Sequence, residues 1–339
     1  MANINLLKQN WKGLTLSVAI GISAVFLKNL TDSPLAESLV IALLIGIILR
    51  SFVKFNEDFI AGFKYTPMLF IPVGVILYGA INLNFKTINA VNPLIIFLIL
   101  FIFMSNAALV FLFSTLFNIN PKTSYLLTAG SAICGASAIA ISSKAVEAEP
   151  DDVSNSLTAV FIAALIGIFL FLPFLISIFN LTAVDYGIMA GSLVQFTGFV
   201  REAVNNIPIP GADIAGLTKM ALSVKAVRYL GLLILVPLFA SFIKGRFYIP
   251  WYLWAFLASG LIFTYAPPSM IKLIDAKKNL EPVLNYMWSI AMAAIGLNAN
   301  LKVLFSKTGI KALAVSLISF VLATGLFLAV YIPMKGLIF

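Results

Sequence analysis

Lys225 and Arg228 are the residues of this chain most clearly placed to do chemistry. They lie within the apolar run Ile214–Phe242 and are three positions apart, so on a helix they share one face. Arg228 sits near the middle of that run, too deep for easy snorkelling. A charge at a bilayer centre costs on the order of 2.5–3.5 kcal/mol even on a lenient scale, so something must compensate it. Two kinds of partner do so. One is structural, an ion pair with Glu202 or bonds to backbone carbonyls. The other is functional, an anion held by Lys225 and Arg228 together.

Two further stretches offer hydrogen bonds. Thr128–Ala140 reads TAGSAICGASAIA and consists of Gly, Ala, Ser, Thr, Ile and one Cys. Gly130 and Gly135 loosen a helix there, while Ser131 and Ser137 can bond freed backbone or a guest. The expectation is an interrupted transmembrane helix whose amides near Gly135 face a ligand. Cys134 belongs to the same candidate site, with packing as its plainer role. The second stretch, WSIAMAAIGLNANLK, places Asn298 and Asn300 after Gly296 and reads as a second elbow. The alternative for both is a tight packing face of the small-xxx-small kind. A secondary set, Gln195, Thr197, Arg201 and Glu202, lies in the weakly hydrophobic segment Asp185–Val204, which belongs inside the bundle or against a cavity.

What is missing narrows the chemistry. There is no His, and a single Cys, so the usual metal sets and any intrachain disulfide are excluded and no cofactor is implied. The acidic residues fall in loops or near helix ends, except Glu202. No paired carboxylates and no Ser-base constellation suggest an enzyme. Cation–proton antiport is disfavoured for the same reason, although Na⁺ held by carbonyls and hydroxyls, or H⁺ coupling, stays open.

The elements that position these residues are membrane helices. The chain has 339 residues, of which 61% are hydrophobic and 10% charged, with a mean hydropathy of +1.06; soluble domains carry about 25% charged residues. The net charge of +9 is scattered through short loops, which suits lipid headgroups and excludes a nucleic-acid stripe. The pattern predicts an all-α polytopic protein of the cell membrane with about eleven spans. Residues 1–34 form an extra N-terminal helix. Two sets of five spans follow, 35–180 and 181–339, and the small-residue helix (about 122–143 and 282–304) is the fourth of each. An odd number of spans per unit inverts the second against the first. Paired interrupted helices in inverted repeats point to a secondary transporter.

Four segments resemble one family. GSAICGASAIA (Gly130–Ala140), IPVGVILYGAINLNF (Ile71–Phe85), KAVRYLGLLILVPL (Lys225–Leu238) and MAAIGLNANLKVL (Met292–Leu304) are similar, in collinear order, to motifs of the YeiH-like sulfate exporters of bacteria and archaea. The resemblance implies the inverted five-helix repeat of the bile acid–sodium symporter superfamily, with a panel and a core domain. Its members usually carry a histidine after the Gly-Ser/Thr of the seventh helix, whereas here Gly191-Ser192 is followed by Leu193 and Val194. The expectation is a secondary carrier of a small anion, sulfate or an organosulfonate, working by alternating access with crossing interrupted helices. The alternative is a Na⁺- or H⁺-coupled carrier of another small solute on the same fold. A homodimer is compatible with either.

Overall fold

In the computed structural model, the described residues are 2–31, 36–207, 209–267, 272–299, 302 and 306–338. Among them the secondary structure is entirely helical. Seven helices are long and apolar enough to cross a membrane, and two shorter apolar helices, Ser38–Phe52 and Trp251–Tyr265, accompany them. The chain is a polytopic membrane protein.

The helices begin where sequence chemistry provides a start. Asn92 and Asn120 cap helices whose first residues are Pro93 and Pro121, and the Asn120 side chain accepts from the Thr123 amide at 2.9 Å. Glu149 and Asp152 form a reciprocal capping box before the helix starting at Pro150. Thr182 and Asp185 form another.

The helices sort into two packed groups. The first contains α1 (Ala2–Thr31), α2 (Ser38–Phe52), α3 (Glu57–Asn82), α14 (Trp251–Tyr265) and α15 (Lys272–Asn298), with α15 lying against α1, α2 and α3. Gly296 makes the α15–α2 approach possible: a Cβ there would run into the Leu43 carbonyl, and one on Gly46 would lie 2.6 Å from the Ala293 carbonyl. α4 (Phe85–Asn89) is a short connector.

The second group holds α5 (Pro93–Leu116), α6 (Pro121–Ala129), α7 (Ala136–Ala145), α8 (Pro150–Ile166) and α9 (Leu172–Phe179). It continues with α10 (Ala183–Leu193), α11 (Thr197–Asn205), α12 (Ile214–Arg228), α13 (Leu232–Lys244) and α16 (Lys307–Ile338). The C-terminal α16 packs along α5 and α8 and touches α10. Buried Asp185, in the first turn of α10, accepts the Tyr331 hydroxyl at 2.6 Å and Lys335 Nζ at 2.5 Å, which ties α10 to α16.

Two passages in the second group are broken. Between α6 and α7 the chain makes a π-turn at Gly130–Cys134, closed by Gly135 N–H on the Gly130 carbonyl at 2.9 Å. Gly135 then takes φ +67°, which is costly for any side chain, and restarts the helix. Between α10 and α11, residues Val194 to Phe196 are extended or non-helical. The second expected elbow, Gly296–Asn300, lies at the edge of the described residues, where the helix ends at Asn298 and Ala299 is a bend. Gly296 itself is helical and admits the close approach to α2, and Asn300 lies outside the described residues.

Candidate functional site

The two breaks lie against each other. A Cβ on Gly135 would sit 2.9 Å from the Phe196 ring. Each break frees carbonyls at the end of the helix before it and amides at the start of the helix after it. The structure sends these two sets of groups to different places.

The carbonyls face buried cations. Arg228 Nε donates to the Ala132 carbonyl at 3.0 Å, Nη1 to Val194 at 2.8 Å and Nη2 to Ser131 at 3.1 Å. Lys225 Nζ donates to the Val194 carbonyl at 2.8 Å and to Gln195 at 2.5 Å. Asn106 Nδ2 adds a third-helix donor to the Ser131 carbonyl at 3.0 Å. Lys225 is 0% and Arg228 2% exposed, so neither reaches open space. Helix C-termini carry partial negative charge, and these two side chains neutralise both of them at once. Of the partners open to Arg228 in the sequence, the carbonyls are the ones it takes; Glu202 instead bonds Asn206 Nδ2 at 2.6 Å.

The amides face a cavity of about 480 Å³. Ala136 and Ser137, the first residues of α7, line it, as do Thr197 and Gly198, the first residues of α11. Neither Gly135 nor Phe196 caps its helix with a side chain. Cys134 Sγ faces the Ala138 amide, and the amino ends at Ala136-Ser137 and Thr197-Gly198 keep their positive character at the cavity. The Tyr78 hydroxyl faces Cys134 and Ser137 across the same wall.

The opposite wall comes from the first group. Lys28 and Asn29 of α1, Glu37 at the start of α2, Tyr78 and Asn82 of α3, and Glu281, Asn285 and Trp288 of α15 line it. Arg201, one turn into α11, completes the charged set. The cavity therefore lies between the two helix groups, with the broken passages on one side.

Of the residues expected from sequence, Cys134, Ser137, Thr197 and Arg201 line this cavity, and Gly135 shapes its wall. Ser131 and Gln195 are buried behind the breaks, and the Ser131 hydroxyl and Gln195 Oε1 have no hydrogen-bond partner among the described residues. Glu202 lines a smaller space of about 180 Å³ with Tyr186 and Asn206. Asn298 Nδ2 bonds the Ala294 carbonyl within its own helix at 3.1 Å. Lys28, Glu37, Tyr78, Glu281 and Trp288 were not singled out in sequence, because they come from helices distant along the chain.

The family follows from comparison of the whole chain. The family described as Conserved hypothetical protein 698 matches residues 12–316. The chain belongs to that family. Among relatives of this Conserved hypothetical protein 698 member is a UPF0324 membrane protein of Archaeoglobus fulgidus, 29% identical over 296 residues, covering 86% of this chain and 84% of the relative. Another, from Bradyrhizobium diazoefficiens, is 28% identical over 331 residues, covering 94% and 91%. A third, from Listeria monocytogenes, is 28% identical over 337 residues, covering 97% and 98%. These names place the relatives in a membrane and state no substrate. No solved structure matches the chain.

Proposed function

We propose that the protein is a secondary active carrier of a small oxyanion, with its binding site in the cavity beside the two helix breaks. The observation that carries this reading is the sorting of the broken ends. Carbonyl ends are neutralised by Lys225 and Arg228, while two amino ends, Ala136-Ser137 and Thr197-Gly198, open on the cavity with Arg201. Amino ends of helices and a guanidinium favour an anion, each end by about 0.3–1 kcal/mol, more where partly buried.

This assigns Lys225 and Arg228 a different job from direct anion contact: they hold the crossing together from behind. Interrupted helices that meet in the bundle, with irregular backbone confined to a cavity wall, suit alternating access. The seven long helices, the two shorter apolar ones and the two interrupted passages would give eleven crossings. One interrupted passage falls in each of the expected units, 35–180 and 181–339, though as a different member of each. Movement of the second helix group against the first would expose the cavity to either side in turn. Sulfate and organosulfonates are the first substrates to test, from the resemblance to sulfate exporters.

The test is counterflow. Proteoliposomes loaded with unlabelled sulfate or an alkylsulfonate should take up the labelled anion transiently, and Arg201→Gln should weaken that uptake. Anion flux with no dependence on the trans anion, together with steady single-molecule current, would replace the carrier by a channel.

A further inference from the structure

Four charged side chains line the cavity, and they are of both signs. Lys28 and Arg201 are cations, and Glu37 and Glu281 are carboxylates. Among the described residues none of the four is in an ion pair, although three ion pairs form elsewhere in the chain. A site for a bare dianion has no use for two carboxylates, which would repel it. Nor does a bare tetraoxyanion need about 480 Å³, a volume in the range of sites for organic ligands.

The rest of the lining fits an organic body with a positive end. Tyr78, Phe196 and Trp288 bring three aromatic rings to the cavity, surfaces that accept both methylene groups and an ammonium. Mixed charge with an apolar floor is the complement of a small zwitterion.

We infer that the ligand is a small organic zwitterion, whose oxyanion binds at the α7 and α11 amino ends with Arg201 and whose ammonium binds between Glu37 and Glu281. This deepens the oxyanion-carrier reading and rests on it. In this arrangement the carboxylates set specificity. An ammonium between them makes charge-assisted hydrogen bonds that a methyl group of the same size cannot make. Selection for the zwitterion then includes weaker binding of plain anions, because an alkyl group leaves both carboxylates unpaired against apolar substrate.

The experiment uses an isosteric pair, 2-aminoethanesulfonate and 1-propanesulfonate, which differ by an ammonium in place of a methyl. Binding to the purified full-length protein is measured by calorimetry. The aminosulfonate is expected to bind at least about tenfold more tightly, the value of one charge-assisted bond. Glu37→Gln is expected to bring the two affinities together, and Glu281→Gln to narrow the gap should the first variant fail to fold. Equal or tighter binding of 1-propanesulfonate, or a preference unchanged in both folded variants, overturns the zwitterion while leaving the oxyanion site standing. Binding of neither probe overturns both.

Discussion

Arg228 Nη1 lies 2.8 Å from the Val194 carbonyl while its Nε lies 3.0 Å from the Ala132 carbonyl, so one guanidinium joins two helix breaks 62 positions apart in the chain (194 less 132). The planar fork suits this task because it offers donors in several fixed directions. Without it, the buried Ala132 carbonyl would lose its side-chain donor, while the Val194 and Ser131 carbonyls would keep only Lys225 and Asn106.

Arg228→Leu is therefore expected to destabilise the protein by roughly 1–3 kcal/mol, the cost of one orphaned buried acceptor, here the Ala132 carbonyl. Arg228→Lys should recover only part of the loss, having the charge without the fork. Thermal unfolding in detergent reads both. An Arg228→Leu variant as stable as the parent would remove the guanidinium from its structural role.

Gly135→Ala tests the first break. The residue has φ +67°, and an added Cβ would meet the Phe196 ring at 2.9 Å. Backbone strain of this kind costs about 1–3 kcal/mol, and displacement of Phe196 would disturb the cavity wall as well. A lower melting temperature with weakened anion binding is expected; an unchanged protein would mean that the break has no fixed geometry.

Arg201→Gln separates binding from folding. The side chain is exposed to the cavity and makes no hydrogen bond or ion pair among the described residues. Its neutralisation should raise the Kd for an anion about tenfold, about 1.4 kcal/mol, with the melting temperature of the free protein unmoved. Unchanged affinity would take Arg201 out of the site.

Coupling should not depend on Na⁺. The carbonyls of Ser131, Ala132, Val194 and Gln195, oxygens that a cation would use, already accept from Lys225, Arg228 and Asn106. Replacing external Na⁺ by choline is expected to leave uptake into proteoliposomes within about twofold. Loss of uptake in choline would show a Na⁺ site elsewhere.

The sequence made one break visible and hid the other. In Thr128–Ala140 the small residues and Gly135 read as an interrupted helix, and the helix does break there. At Val194-Gln195-Phe196 no glycine or proline marks the break; only the weak hydrophobicity of 185–204 and the demand of Lys225 and Arg228 for partners point to it. Gly296 sends the same signal as Gly135, and the structure gives that residue a packing role two positions before the helix ends at Asn298. It admits the α2 backbone, and composition does not distinguish a close approach from an elbow. The charged half of the cavity was illegible because Lys28, Glu37 and Glu281 come together only in three dimensions. Glu37 alone reads as a residue placed at a helix start for its dipole.

Cys134 offers the most direct measurement of the central claim. It is the chain's sole cysteine, and it lines the cavity beside the two breaks. The native protein can thus be treated with the anionic thiol reagent 2-sulfonatoethyl methanethiosulfonate, with and without substrate anion, without engineering a reporter. A bound oxyanion at the α7 and α11 amino ends should slow modification about tenfold at ten times its Kd. Modification at the same rate with saturating anion would contradict a binding site at the helix breaks.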